Sequence, residues 1–137
     1  MMISTKGRYA LRVMVELAQY EKYVPLKEIA ERQGISEKYL EAILKKLVQA
    51  ELVYGLRGKG GGYKLVRAPQ AYTLREILEA TEDSISPVSC SELAGGSCPR
   101  AADCVTLPMW TRLDKLVYDF FEGISLAQLA AGEFDSE

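Results

Sequence analysis

Hydrophobic positions in the first fifty residues repeat at intervals of three and four, which predicts three helices joined by short turns. The first helix begins after a cap at Ser4 or Thr5. The second is predicted over residues 26–33, and Gly34 is suited to end it in the left-handed conformation. A cap at Ser36 then starts the third helix, which carries one apolar face and one charged face.

The periodicity changes after the third helix. Short apolar runs at 52–54 and 63–66 predict two strands, and the glycine-rich segment 57–62 between them predicts a turn. A capping box that opens at Thr73 with Glu76 then predicts a fourth helix. The chain up to this point has the element order of a helical unit with one β-hairpin.

Residues 82–103 are rich in Ser, Gly, Pro and Cys and show no amphipathic period, so we expect an irregular loop there. A long helix follows, with Thr106 as its predicted cap, Pro108 in its first turn and Gly123 at its end. This helix carries an apolar stripe, and a short final helix is predicted after a cap at Ser125.

Two short helices joined by residues 33–36 form a helix-turn-helix, and a hairpin directly after them forms a wing. We therefore predict a winged helix-turn-helix, a mainly α fold with a small β-hairpin wing at about 52–66, plus a long C-terminal helix. The predicted divisions are a DNA-binding domain at 1–81, a cysteine-bearing loop at 82–105, and a long dimerisation helix with a short last helix at 106–137.

The second helix of such a motif enters the major groove of DNA with its N-terminal residues at the base edges. Ser36 and Lys38 are suited to phosphate or base contacts. Tyr39 is suited to a phosphate or a thymine methyl group, and Glu41 can accept a hydrogen bond from the amino group of cytosine. An ordinary helical hairpin with solvated charges is the alternative interpretation of these helices.

The hairpin tip favours the DNA-binding interpretation. Arg57 is suited to the minor groove, and Lys59 and Lys64 are suited to phosphates. Glycines at the tip allow the backbone to approach DNA closely. The segment is neither a phosphate-binding loop by its spacing nor followed by a helix. The predicted DNA-binding set is Ser36, Lys38, Tyr39, Glu41, Arg57, Lys59, Gly60, Gly61 and Tyr63.

Charge is divided unequally along the chain. Up to residue 67 there are 13 Lys and Arg against 7 Asp and Glu, and the remainder has 4 against 12. This asymmetry indicates that the N-terminal half contacts a polyanion. No apolar run reaches the roughly 20 residues that span a bilayer, and the N-terminus lacks a signal-peptide core. We therefore expect a cytoplasmic protein with no membrane partner.

Three cysteines, Cys90, Cys98 and Cys104, lie in the irregular segment with the pattern C-x7-C-x5-C. Three thiolates on a loop suit a soft metal or an iron–sulfur cluster. The chain has no histidine, so a fourth ligand must come from elsewhere, and Asp103 and Glu92 are the local candidates. A disulfide-forming redox sensor and a zinc-stabilised module remain open alternatives.

An enzyme is not expected, because the chain has no histidine and shows no nucleophile–base pair and no paired carboxylates. No small-molecule substrate is therefore predicted. An interaction protein that does not bind DNA is the remaining alternative class.

Several local motifs together identify a family. They are the segments 4–10, 31–36 and 39–41, the wing with Arg57-Gly58 and Gly60-Gly61-Gly62, the three cysteines, and Trp110 near the start of the long helix. From about residue 1 to residue 129 the chain resembles the iron–sulfur-cluster regulators of bacteria, the IscR-like winged-helix repressors.

This resemblance implies a homodimer that binds double-stranded promoter DNA and whose DNA binding is controlled by a cluster. It implies that Cys90, Cys98 and Cys104 ligate a [2Fe-2S] cluster, with [4Fe-4S] as the alternative. Glu41 would read bases and Arg57 the minor groove. The implied regulated process is iron–sulfur cluster biogenesis or a related response to iron, redox state or nitric oxide. The implied dimer interface is Trp110, Leu113, Leu116, Val117 and Phe120.

Three positions depart from the family pattern. Leu107 stands where a histidine often follows the last cysteine, and Arg8 stands where some relatives use an N-terminal aspartate of the partner chain. Neither usual fourth ligand therefore transfers to this chain. Ala42 stands where a glutamine often joins the base contacts, so we expect a different operator.

Overall fold

The structure is a computed structural model that describes residues 3–82, 84–88 and 98–134. Cys90 and Glu92 lie outside the described residues. The elements, in chain order, are α1 (Thr5–Leu17), α2 (Leu26–Gln33), α3 (Glu37–Gln49), β1 (Val53–Leu56), β2 (Gly62–Leu65), α4 (Leu74–Thr81), α5 (Leu107–Glu122) and α6 (Leu126–Ala130). Short 3-10 turns occur at Pro69–Ala71 and Ala101–Asp103.

Helices α2 and α3 form the helix-turn-helix, as the sequence predicts. Gly34 closes α2 with φ of 66°, in the left-handed region where a side chain would be strained. The Ser36 hydroxyl accepts a hydrogen bond of 3.2 Å from the Tyr39 N–H and so caps α3. The apolar faces of α1, α2 and α3 meet in one core that includes Met14, Ile29 and Leu44, all fully buried.

Strands β1 and β2 form an antiparallel wing whose register runs from Val53 opposite Leu65 to Leu56 opposite Gly62. The strands lie within two residues of their predicted positions. Val24 forms an isolated antiparallel bridge with Tyr63 of β2, through two backbone hydrogen bonds of 2.9 Å. A Cβ atom at Gly62 would lie 2.2 Å from the Val24 carbonyl oxygen, so this close approach requires glycine.

Tyr72 fastens the base of the wing. Its ring is completely buried, and its hydroxyl donates to the Leu52 carbonyl at 2.7 Å. The same oxygen accepts from the backbone N–H groups of Val66 and Arg67 at 2.9 and 3.0 Å. One side chain thereby joins the backbone that leads into the wing to the backbone that leaves it.

The segment that directly follows α5 is hydrogen-bonded to the start of α4 and to Tyr72. Leu74 donates its N–H to the Ile124 carbonyl at 2.9 Å, and Leu126 donates to the Tyr72 carbonyl at 3.0 Å. The Arg75 guanidinium also lies over the Tyr118 ring, 4.7 Å from its centroid. None of the α5 residues is buried, so the helix presents most of its surface to solvent.

Thr106 is the N-cap residue of α5, as predicted, but its side chain does not cap the helix. Thr106 has helical dihedral angles, and its side chain makes no capping hydrogen bond. Its hydroxyl lies instead 3.3 Å from the sulfur of Cys104. A local sequence signal identified a residue suited to capping, but the hydroxyl has a different partner.

Candidate nucleic-acid interface

A groove of about 850 Å³ lies between the outer face of α3 and the wing. The α3 wall is formed by Glu41, Lys45, Val48 and Gln49. The wing wall is formed by Gly55, Leu56, Arg57, Gly58, Gly61, Gly62 and Tyr63. The structure thus brings the predicted helix residue Glu41 and the predicted wing residue Arg57 to opposite sides of one concave surface.

The predicted residues of α3 differ in their surroundings. Ser36, Lys38 and Glu41 are exposed. Tyr39 is half-buried, and its ring meets the Tyr9 ring edge-on with 5.9 Å between centroids. Tyr39 therefore packs α3 against α1, a contact that the sequence prediction did not anticipate.

The tip of the wing projects from the domain. Arg57, Lys59 and Gly60 are exposed there. Gly61 is buried inside the turn, where its N–H donates to the Gly58 carbonyl at 3.0 Å. The two basic side chains thus stand on a turn that is closed by its own backbone.

Tyr63 forms part of the wing wall of the groove and is half-buried there. Its ring packs over Gly55, where an added Cβ atom would approach the ring to 3.4 Å. Burial raises the pKa of the Tyr63 hydroxyl, and the nearby Glu41 carboxylate raises it further while Arg57 opposes both. The hydroxyl therefore stays protonated near neutral pH and is available as a neutral hydrogen-bond donor.

Lys45 and Gln49 also line the groove, although neither belongs to the predicted DNA-binding set. Their spacing from Glu41, four and eight residues, would have placed all three on one helical face. Val48 also lines the groove and is 36% exposed, which adds an apolar surface to this wall.

A buried carboxylate fixes the helix-turn-helix against α1. Glu16 is only 7% exposed and accepts hydrogen bonds from Arg32 at 2.8 Å and from the Gln33 amide at 2.6 Å. Arg12 donates to the Gln33 carbonyl at 2.7 Å. Residues from two successive turns of α1 thereby fix the C-terminal end of α2, and α3 begins four residues after that end.

Two of the three cysteines lie within the described residues, on either side of the 3-10 turn. The Ala101 N–H donates to the Cys98 carbonyl at 3.1 Å, and the Cys104 N–H donates to the Ala101 carbonyl at 3.4 Å. Hydrogen bonds from the hydroxyl and backbone of Thr106 lower the pKa of Cys104, and a weaker one from the Leu107 backbone adds to them, whereas burial opposes the shift. Both cysteines are half-exposed.

The lowered pKa makes the thiolate form, which a soft metal requires, easier to reach at Cys104 than at an ordinary cysteine. Across residues 3–82, 84–88 and 98–134, no three Cys, Asp or Glu side chains are gathered as a metal site. The third predicted ligand, Cys90, belongs to the part of the chain that is not described.

Helix α5 carries an exposed apolar stripe with spacings of four, three and four residues. Its members are Met109, Leu113, Leu116 and Phe120, which are 53%, 37%, 60% and 58% exposed. Trp110 and Val117, also predicted at the dimer interface, are half-buried beside this stripe. The spacing is that of a helix seam that packs against a second helix.

Comparison with known protein families matches residues 3–132 to Rrf2, described as an iron-dependent transcriptional regulator. The chain belongs to the Rrf2 family. The match covers the helix-turn-helix, the wing, the cysteine segment and α5. The predicted winged-helix fold and the predicted resemblance to IscR-like regulators are thereby confirmed.

Individual relatives agree with the Rrf2 assignment. The chain is 38% identical over 131 residues to the HTH-type transcriptional regulator IscR of Aliivibrio salmonicida, covering 94% of this chain and 77% of the relative. The solved structure of T. potens IscR is 33% identical in sequence and has a TM-score of 0.77. The match covers all of this chain and 91% of the T. potens chain.

A second solved structure carries a different regulatory name. CymR, the global cysteine regulator of B. subtilis, is 36% identical, with 98% and 99% of the two chains covered and a TM-score of 0.76. The Rrf2 relatives are transcriptional regulators, in agreement with the prediction that this chain is not an enzyme. Among the described residues, no helix combines the length and apolar character needed to cross a membrane.

Proposed function

We propose that this Rrf2-family regulator is a homodimeric repressor that reads promoter DNA with α3 and the wing, under the control of an iron–sulfur cluster. The groove between Glu41 and Arg57 is the observation that carries the DNA-binding part of this proposal. It presents a helix face and a basic hairpin on the same side of the domain, as simultaneous major- and minor-groove contacts require.

Each wall of the groove has a separate role in this proposal. The Glu41 carboxylate accepts from cytosine in the major groove, and the Arg57 guanidinium enters the minor groove. Ser36, Lys38 and Lys59 contact phosphates around them. Gly60 and Tyr63 complete the proposed contact surface. Tyr39 packs against Tyr9 and Gly61 lies buried in the turn, so both support that surface.

A binding titration on promoter DNA at several salt concentrations tests these roles. Glu41→Ala should relax the preference at one base pair, with a change of roughly 5- to 150-fold between the best and the altered site. Arg57→Ala should weaken binding and reduce its salt dependence. Lys22→Ala removes an exposed positive charge away from the groove and serves as the control. Equal effects of Arg57→Ala and Lys22→Ala would contradict the proposed wing contact.

The homodimer in this proposal forms through the apolar stripe of α5. Exposed apolar side chains at spacings of four, three and four residues match the seam of two packed helices. Because the segment that directly follows α5 is hydrogen-bonded to the start of α4 and to Tyr72, the crossing of two such helices would set the separation of the two reading heads. Half-sites one helical turn apart, or a multiple of it, then follow.

The cluster in this proposal is held by Cys90, Cys98 and Cys104. The donor chemistry fits, because thiolates are the ligands of iron–sulfur clusters and hydrogen bonding favours the thiolate at Cys104. When bound, a cluster supplies redox sensitivity and a cross-link between distant parts of one segment. A [2Fe-2S] cluster is the preferred form, and [4Fe-4S] is the alternative.

Anaerobic purification with iron and sulfide analysis tests the cluster. The expected result is coloured protein that contains both elements and whose DNA binding changes when the cluster is removed. Colourless, iron-free protein after anaerobic reconstitution would contradict the proposal. The signals proposed to act on the cluster are cluster demand, iron, redox state or nitric oxide.

A thiol sensor without metal is the second candidate function, favoured by the likeness to a cysteine regulator and by the half-exposed Cys104 thiol. In this case two cysteine thiols lose two electrons and two protons to an oxidant and form a disulfide. Mass spectrometry after treatment with oxidant in the presence of a chelator separates the two candidates. Elemental analysis for zinc separates a purely structural metal site from both.

A further inference from the structure

We propose that Glu82 is a positioning residue that couples the cysteine-bearing segment to the reading helix α3 by clasping the first turn of α1. This inference rests on the proposed control of DNA binding by the cysteines. Glu82 directly follows α4, and the chain reaches Cys90 eight residues later. The residue therefore stands where the DNA-binding unit ends and the cysteine-bearing segment begins.

The clasp consists of three linked hydrogen bonds. One oxygen of Glu82, Oε1, accepts from the Ser4 N–H at 2.8 Å and from the Ser4 hydroxyl at 2.6 Å. The Ser4 hydroxyl in turn accepts from the Gly7 N–H at 3.2 Å, which caps α1. A carboxylate at a helix N-terminus also interacts favourably with the helix dipole. The residue that caps α1 is thus itself hydrogen-bonded to a carboxylate 78 positions away in sequence.

Gly7 provides independent support for the close fit of this carboxylate. A Cβ atom at Gly7 would lie 2.2 Å from Glu82 Oε1 and 3.0 Å from its carboxyl carbon. Any other residue at this position would force the carboxylate away. The first turn of α1 is therefore shaped to receive Glu82 at the distance observed.

The clasp borders the reading helix. A single cleft of about 430 Å³ is lined by Ser4, Thr5, Lys6, Tyr39, Lys46, Thr81 and Glu82. Tyr39 and Lys46 belong to α3, and Tyr39 meets Tyr9 of α1 edge-on at 5.9 Å. A displacement of the first turn of α1 would therefore change the surface on which α3 packs.

Glu82 is also fastened to the element before it. Its own N–H donates to the Leu78 carbonyl at 2.7 Å, the last backbone hydrogen bond of α4. A reorganisation of the cysteine-bearing segment that pulls on Glu82 would act on the end of α4 and on the cap of α1 together. Helices α1 and α4, which both pack on α3, would thus respond to the position of Glu82.

Two substitutions on opposite sides of the clasp test the proposal. Glu82→Ala removes the carboxylate, and Gly7→Ala expels it while leaving it in the chain. For each protein, the dissociation constant for promoter DNA is measured with the cluster reconstituted and after anaerobic removal by a chelator. We expect a ratio of roughly tenfold or more in the wild type, and a ratio near one in both variants.

Control variants separate coupling from simple loss of a helix cap. Glu82→Gln keeps an oxygen that accepts from Ser4 and should retain much of the ratio. Glu79→Gln removes a carboxylate one turn earlier, which pairs with Arg75. It should leave the ratio unchanged. A purely structural role for Glu82 would lower thermal stability in the variants but preserve the ratio.

An unchanged ratio in both Glu82→Ala and Gly7→Ala would overturn the proposal. If the wild type binds DNA equally in both states, the proposed control by the cluster fails. The role of Glu82 is then tested by measuring DNA binding of the cluster-free variants. In that state each substitution should weaken DNA binding several-fold, and Gly7→Ala should have no further effect in the Glu82→Ala background. Additive effects, or none, would overturn it.

Discussion

Substitution of Tyr72 by phenylalanine would remove a single hydroxyl from the base of the wing and leave the ring in place. That hydroxyl donates to the Leu52 carbonyl and accepts from the N–H groups of Val66 and Arg67. The variant would therefore leave one carbonyl and two N–H groups without their partner, on the two chain segments that carry the wing.

The expected cost follows from how accessible these groups are. The bond to Leu52 is buried, and leaving a buried polar group unpaired costs about 1–3 kcal/mol. The two N–H groups are partly buried, so water replaces part of what they lose. We expect a total loss of about 2–4 kcal/mol in the free energy of unfolding, which is large beside the roughly 5–15 kcal/mol of a typical domain.

Urea denaturation followed by circular dichroism measures this loss. Tyr54→Phe provides a matched control, because Tyr54 lies in β1 with a side chain that is 50% exposed. The control should change stability by no more than about 0.5 kcal/mol. If Tyr72→Phe cost no more than the control, water would be satisfying all three backbone groups, and the hydroxyl would not fasten the wing.

Three further predictions concern other parts of the chain. Burial raises the pKa of Glu76, but hydrogen bonds from Arg67 and the Thr73 N–H lower it more, so the net pKa lies below its usual value. Its contribution to stability is therefore present above the unfolded pKa and lost as the pH falls through the folded one. Glu76→Gln should cost at most about 1 kcal/mol at neutral pH, because the ion pair is partly exposed. Urea unfolding between about pH 3 and 7 should show this deficit shrinking below roughly pH 4, whereas a constant deficit would contradict the assignment. Leu116→Glu places a charge in the middle of the α5 stripe and should convert the proposed dimer to monomer in sedimentation equilibrium; an unchanged mass would exclude this seam. Glu16→Ala removes the acceptor of Arg32 and Gln33, whose donors are partly exposed and can bind water instead, so it should cost about 1 kcal/mol in urea unfolding. An unchanged midpoint would show that the carboxylate is dispensable.

Local signals in the sequence were sufficient for the helices, the turn and the wing. Gly34 and Ser36 act through groups within a few residues of themselves, so their roles at the end of α2 and the start of α3 could be predicted from spacing. Thr106 shows the limit of this reasoning. Its residue type is suited to capping, but its hydroxyl lies beside the Cys104 sulfur, and no local rule ranks those two partners.

Contacts between distant segments could not be predicted. Glu16 lies next to apolar positions of α1, and no local motif indicates that its carboxylate is buried and accepts a hydrogen bond from the end of α2. The pairing of Val24 with Tyr63 involves one residue and therefore has no period to detect. The groove was predictable in its parts, Glu41 and Arg57, whereas its shape depends on these long-range contacts.

The close approach of Gly62 to Val24 has a consequence for how such a regulator diversifies. The base of the hairpin tolerates no side chain at that point, so its sequence is constrained by folding. The exposed side chains of Arg57 and Lys59 at the tip have no such constraint from the core. Under the proposed wing contacts, mutations of these two residues change which operators are bound at little cost in stability. Selection can then act on the regulatory targets without acting on the stability of the same hairpin.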